Sequence, residues 1–255
     1  MTNESRIWTA ALVVVGDEIL SGRTQDKNIA QIATWLGVQG IRLREVRVVP
    51  DDMDAIIEAV NTLRVRNDYL FTTGGIGPTH DDITVDAVAA ALGVPVVIHP
   101  KARAILESYY TTRGGLNDAR LRMARVPEGA DLIDNKVSGA PGIRAGNVYL
   151  MAGVPGITAQ MLDGLTGQLE GGLPLLSATL GCWVAESEIA DLLRETEKAF
   201  DGVQIGSYPF FREGRTGANF VVRSVSESQI AACVETLEEG LTALGRTPVA
   251  GGITT

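Results

Sequence analysis

Strand-length apolar runs and helix-period stripes alternate through the first two thirds of the chain. Residues 9–15 (TAALVVV) are almost wholly apolar up to Gly16, the mark of a strand buried on both faces. Residues 26–38 place Ile29, Ile32, Ala33 and Leu36 at helical spacing, with Gly40 just beyond as a stop. A β-rich run at 41–49 follows, and Pro50-Asp51-Asp52 opens a second helix carrying Ile56, Ile57, Val60 and Leu63 on one side. Residues 68–73 (DYLFTT) read as a third strand and 81–92 as a third helix ending at Gly93. The pattern continues with a strand at 94–98, a helix from 100 to about 110, a strand at 147–151 and a helix at 158–169. This alternation requires crossovers, so the expected fold is α/β: a three-layer, mostly parallel sheet covered by helices on both faces. In such sheets ligands lie outside the carboxyl ends of the strands. The loops at 16–25, 50–52, 74–82 and 152–156 all follow predicted strands and are expected at one edge.

The pattern changes near residue 170. GGLP at 171–174 reads as a linker, followed by a strand (175–184), an amphipathic helix (185–200), two strands (203–208 and 218–225) and a last helix from Ser226. We therefore expect a first domain over 1–170 and a small α+β domain, ferredoxin-like or KH-like, over 171–255. Residues from about Thr247 read as disordered.

Composition narrows the function. Apolar residues make up 45% and charged residues 21% of 255, an ordinary globular balance. No apolar run is long enough to span a bilayer. The opening MTNESRIW lacks a basic or apolar leader region, so a cytoplasmic location is expected. A net charge of −9 disfavours unspecific nucleic-acid binding. GRTG at 214–217 matches the GXXG of nucleic-acid-binding KH domains, but it joins two predicted strands and reads as a hairpin turn. Cys182 and Cys233, far apart in sequence, are expected as buried thiols. With only His80 and His99 besides, a structural zinc site is not expected.

The densest chemistry lies in TTGGIGPTHDDIT, residues 72–84. Gly74, Gly75 and Gly77 follow a strand and precede a helix, where bare amides and the positive end of the helix dipole suit a phosphate. The alternative is a glycine-rich turn capped by Asp81 or Asp82. One aspartate suffices for a cap. The second makes sense beside a phosphate if a divalent cation lies between them, because Mg²⁺ commonly takes one or two carboxylates plus phosphate oxygens. His80 reads equally as a second base or as a loop hydrogen-bonding residue. Asp17-Glu18 and Asp51-Asp52 end two other strands; singly each reads as a turn or cap, together as a polyanion-plus-metal crevice.

GDEILSGRTQDKN (16–28), VVPDD (48–52), TTGGIGPTHDDIT (72–84) and AGVP (152–155) resemble the molybdopterin-binding domain family. They are most similar to the amino-terminal domain of CinA-like proteins and to the related domain of FAD synthases. IGSYP (205–209) resembles the small domain that follows it. The resemblance implies a ligand that is a pterin phosphate or a nucleotide. It implies metal-dependent hydrolysis of ADP-ribose or FAD, with Mg²⁺, Mn²⁺ or Co²⁺. By motif, the resemblance implies that Asp51 and Asp82 are the catalytic residues. Gly16, Ser21, Gly74, Gly75, Gly77, Thr79, Pro141 and Gly142 fall on ligand-binding loops, and Asp17, Glu18, Asp81 and Asp82 on a metal site. NKVSGAPG (135–142) departs from the family loop at Lys136 and Ser138, and Gln160 stands where a glutamate is common. No counterpart of the terminal amidohydrolase domain of full-length CinA proteins is visible, so deamidation is not expected. The alternatives are a binding module that holds molybdopterin or a nucleotide without turnover, and a Mog-like molybdopterin adenylyltransferase. Relatives also imply a homo-oligomer, dimer or trimer.

Overall fold

The computed structural model describes residues 6–212 and 214–254. The chain forms two compact units, Met1–Gly172 and Leu173–Thr255. The first runs β1 (Trp8–Val15), α1 (Asp17–Leu20), α2 (Asn28–Val38), β2 (Ile41–Val49), α3 (Met53–Arg64), β3 (Tyr69–Thr73), α4 (Thr84–Leu92) and β4 (Val96–Ile98). It continues with α5 (Pro100–Tyr110), α6 (Asp118–Leu121), β5 (Arg125–Pro127), β6 (Asp131–Ile133), β7 (Gly142–Ala145), β8 (Val148–Met151) and α7 (Pro155–Leu165).

Six strands form one sheet in the order β2-β1-β3-β8-β7-β6. The pairs β1–β2, β1–β3 and β3–β8 are parallel; β7 and β6 then turn back antiparallel at the edge. The fold is α/β with a mixed sheet. Alternation along β1 sets the layers. Ala11, Val13 and Val15 face one core with Ile56, Val60 and Leu63 of α3 and Val85 and Val88 of α4. Ala10, Leu12 and Val14 face the other, with Ile32 and Leu36 of α2 and Met161, Leu162 and Leu165 of α7. Each fully buried Val or Leu stabilises by roughly 1.5–3 kcal/mol, which is why β1 carries no polar alternation. The run at 94–98 does form a strand, but it lies outside this sheet, in a two-stranded antiparallel ribbon with β5. Only four residues, Val96–His99, remain between the left-handed Gly93 turn with Pro95 and the start of α5.

The second unit comprises β9 (Leu176–Cys182), α8 (Glu186–Ala199), β10 (Gln204–Arg212), β11 (Arg215–Ser224), α9 (Glu227–Ala243) and β12 (Pro248–Ala250). Its sheet is antiparallel throughout, in the order β10-β11-β9-β12. Leu180, Cys182 and Phe220 of the sheet pack with Ile189 of α8 and Leu237 and Leu241 of α9. Arg212 lies opposite Arg215 across the β10–β11 hairpin, so the GRTG string spans a turn and its following strand. The expectation of disorder from Thr247 is corrected: Pro248–Ala250 pair with Leu180–Cys182, and Gly251 donates to the Thr179 carbonyl at 2.9 Å. Both cysteines are buried free thiols, and burial pushes both up from the ordinary thiol value. Among the described residues no helix is long and apolar enough to cross a membrane.

Candidate functional site

Four loops at the carboxyl ends of β1, β2, β3 and β8 line a crevice of ≈ 670 Å³. They contribute Gly16 and Glu18, Asp51, Gly74–Asp82 in part, and Ala152–Pro155. Parallel pairing of β1 with β2 and β3, and of β3 with β8, brings these ends together.

The glycine turn is backbone-tight. Gly74 and Gly75 have φ of +93° and +67°. A Cβ on Gly74 would sit 2.2 Å from the Val15 carbonyl oxygen, and one on Gly75 2.1 Å from Thr84 Oγ1. Thr84, fully buried, donates its hydroxyl to the Gly74 carbonyl at 2.9 Å and its amide to the Gly75 carbonyl at 3.0 Å. Two carbonyls are thereby tied to the start of α4. Among the described residues no acceptor meets the Gly75, Ile76 or Gly77 amides. Three adjacent donors on crevice-lining residues are left for a ligand, as an anion site requires.

The aspartates that follow are not helix caps. α4 starts at Thr84, not at Asp81, and its N-cap Ile83 makes no side-chain cap bond. Asp82 Oδ2 instead accepts the Thr79 amide at 2.7 Å and the Thr79 hydroxyl at 2.5 Å, closing a turn ahead of the helix. Arg122 Nη2 donates to the Asp82 carbonyl at 3.2 Å. The Thr79 hydroxyl, the residue's own amide and the nearby His80 hold Asp81 below the usual carboxylate range. His80 itself is almost wholly in solvent, its Nδ1 4.0 Å from Asp81 Oδ1, and does not line the crevice.

At the end of β2 the two aspartates divide their work. Asp52 caps α3 by accepting the Ala55 amide at 2.9 Å. Asp51 lines the crevice and accepts the Asp17 amide at 3.0 Å. Burial pushes the Asp51 carboxyl up from its ordinary value; the Asp17 amide opposes this, and the charges of Asp17, Glu18 and Asp81 add to it.

Of the residues singled out from sequence, Gly16, Glu18, Asp51, Gly74, Gly75, Gly77, Asp81 and Asp82 line one crevice. The others lie off its wall. Asp17 is exposed and reaches the site only through its amide. Ser21 ends α1, its hydroxyl on the Glu18 carbonyl at 3.3 Å. Thr79 turns its amide and hydroxyl to the loop's own aspartates. Pro141 and Gly142 are buried, Gly142 packing on Met161 and the Leu150 carbonyl; Ser138 and Ala140 of the same loop line the crevice instead. Sequence reading missed an apolar wall made of Tyr110, Met123, Ile157 and Met161. Met161 carried a signal, sitting nearly two turns into a helix that follows a motif loop; Tyr110 and Met123 carried none. Among the described residues, no Lys or Arg lines the crevice, and no group of three or more His, Cys, Asp or Glu stands ready to hold a metal.

Residues 11–171 match the family described as a probable molybdopterin binding domain, and residues 174–247 match the FAD synthase middle domain. A protein from Aeropyrum pernix is 34% identical over 82% of this chain and 81% of its own length. A CinA-like protein from Desulfosudis oleivorans is 35% identical over 77% of this chain and 51% of its own, so the chain spans about half of that relative. Among solved structures, the protein CinA from Thermoplasma acidophilum is 34% identical, with a TM-score of 0.59 over 64% of this chain and 99% of the other.

Proposed function

The chain belongs to the molybdopterin-binding domain family and is CinA-like, and on that premise we propose that it hydrolyses the diphosphate bond of a nucleotide such as ADP-ribose or FAD with a divalent cation. The observation that carries this is the crevice itself: three unpaired amides at Gly75–Gly77 beside four carboxylates, with no lining Lys or Arg among the described residues. Amides favour an anion, and unopposed carboxylates repel it. A diphosphate and a cation together reconcile the two.

The donor set fits such an ion. Without a three-residue protein cluster among the described residues, the carboxylates of Asp82, Asp81 or Glu18 can supply one or two ligands, the number Mg²⁺ takes when phosphate oxygens complete its shell. Hard carboxylate oxygens suit Mg²⁺, Mn²⁺ or Co²⁺. When bound, the cation supplies charge neutralisation and polarises the phosphoryl group. The remaining roles fall to the chain. The Gly75, Ile76 and Gly77 amides hold phosphoryl oxygens and stabilise charge that grows on them. Asp51, held above the usual carboxylate range by burial, accepts a proton from the attacking water. The wall of Tyr110, Met123, Ile157 and Met161 takes a flat ring, and the match of residues 174–247 to the FAD synthase middle domain favours a dinucleotide.

Purified chain incubated with ADP-ribose or FAD and each of the three cations is expected to release AMP, and to stop when EDTA is added. Tight binding of either ligand without AMP and without cation dependence would establish a binding module instead. AMP transfer seen only with ATP and molybdopterin together would establish an adenylyltransferase.

A further inference from the structure

The side-chain amide of Asn28 has no part in the reaction proposed for the crevice. Asn28 opens α2 and is 3% exposed. Its Nδ2 donates to the Gly153 carbonyl at 2.8 Å, while its buried Oδ1 has no partner among the described residues. A half-paired amide in the interior is a net cost to folding, and an apolar side chain would avoid it. Packing therefore does not account for asparagine here.

Its partner turn does. Gly153, Val154 and Pro155 line the crevice, and a methyl on Gly153 would lie 3.4 Å from Gly74 Cα, so this turn abuts the glycine turn. Every carbonyl from 152 to 155 accepts a hydrogen bond from within the chain. Thr158 Oγ1 donates to Ala152 O at 2.6 Å, Asn28 to Gly153 O, and the Ile157 and Thr158 amides to Val154 O at 2.9 and 3.0 Å. Gln31 Nε2 donates to Pro155 O at 3.3 Å. Of these ties, those from Asn28 and Gln31 come from α2, more than 120 residues away in sequence. Among the described residues no acceptor meets the Gly153 or Val154 amides.

We propose that Asn28 is a positioning residue: through the Gly153 carbonyl it holds the 152–155 turn against the glycine turn, so that the turn's accepting oxygens are occupied and the crevice wall presents donors to the diphosphate. This rests on the reading of the crevice as a diphosphate site. The residue touches no reacting atom, so its loss should weaken ligand binding and leave the chemical step alone.

The test uses the full chain as wild type, Asn28→Ala, Thr158→Val and the double variant. Hydrogen exchange at the Ile157 and Thr158 amides is expected to quicken about tenfold in Asn28→Ala, while the β1 amides stay protected. For ADP-ribose with Mg²⁺, Kd by calorimetry and KM are expected to rise about tenfold, the scale of one lost buried hydrogen bond, with kcat within about twofold. The double variant should lose less than the two singles together, because both ties act on one turn. Unchanged exchange at Ile157 and Thr158, or a fall in kcat with KM unmoved, overturns the proposal. Should Asn28→Ala not fold, Thr158→Val and Gln31→Met carry the same readouts. If wild type shows no turnover, the proposed reaction fails, while the exchange and calorimetric arms still decide the role of Asn28.

Discussion

Replacing Gly75 with alanine isolates the tightest point of the crevice. At φ +67° a Cβ costs roughly 1–2 kcal/mol from backbone sterics alone. The new methyl would also sit 2.1 Å from Thr84 Oγ1 and 3.1 Å from Thr84 Cβ. Thr84 has no room to retreat: it is fully buried and bonded to both the Gly74 and Gly75 carbonyls. Overpacking of this kind adds roughly 1–3 kcal/mol, for a total of about 2–5 kcal/mol. In a unit of this size that lowers Tm by roughly 4–20 °C. Gly93→Ala is the internal control, because φ there is +71° but nothing lies within 4 Å of the added methyl; it should lose only the backbone part. Thermal unfolding of the two variants, with ADP-ribose and Mg²⁺ affinity measured in parallel, separates the effects. Gly75→Ala should unfold at clearly lower temperature than Gly93→Ala and bind more weakly, while Gly93→Ala binds as wild type. Equal Tm values would refute the steric argument, and an unchanged affinity in Gly75→Ala would remove the glycine turn from the binding site.

Asp82→Asn keeps an acceptor for Thr79 but removes the charge, so turnover is expected to fall about 10²–10⁴-fold with the fold intact by circular dichroism. Asp51 titrates above its ordinary 3.8, so the folded chain holds this proton more tightly than the unfolded chain. Its contribution to stability is full below 3.8 and is lost as pH rises through the folded value. Asp51→Asn, which cannot ionise, should therefore gain in Tm on wild type as pH rises from about 3 to 7. In activity, kcat/KM should rise with pH through a carboxyl titrating above the usual range, and that step should vanish in Asp51→Asn. A constant Tm difference across that range contradicts the burial of Asp51. Both cysteines are buried with thiols pushed up, so a thiol reagent such as DTNB should label neither in the native chain at pH 8 and both after denaturation.

How far the chain announces this structure depends on the length scale of each element. β1 is legible because it is buried on both faces and needs no polar residue, and α3 because Asp52 caps a stripe of Ile56, Val60 and Leu63. The four strand-end loops were legible as one edge because parallel crossovers leave no other arrangement. The short strands β5, β6 and β7 have three or four residues each, too few for a period to show. α4 starts three residues later than its pattern suggests, since the Asp82 carboxylate is drawn into a turn by Thr79 rather than freed to cap a helix. α7 starts three residues earlier than expected, at Pro155, a residue suited to the first helical position. The apolar wall was invisible for a different reason. Tyr110 and Met123 come from segments whose place beside the crevice is set by tertiary packing, and a tyrosine ending a helix looks the same wherever that helix docks.

The proposed hydrolysis requires a diphosphate and a cation in the crevice together. A crystal of the Asp51→Asn chain soaked with ADP-ribose and Mn²⁺, measured at the manganese edge, reads both at once. The expected map shows an anomalous peak bonded to a carboxylate among Glu18, Asp81 and Asp82 and to a diphosphate oxygen, with phosphoryl oxygens on the Gly75–Gly77 amides. ADP-ribose bound in the crevice with no manganese beside it, or manganese with the nucleotide elsewhere, would contradict it.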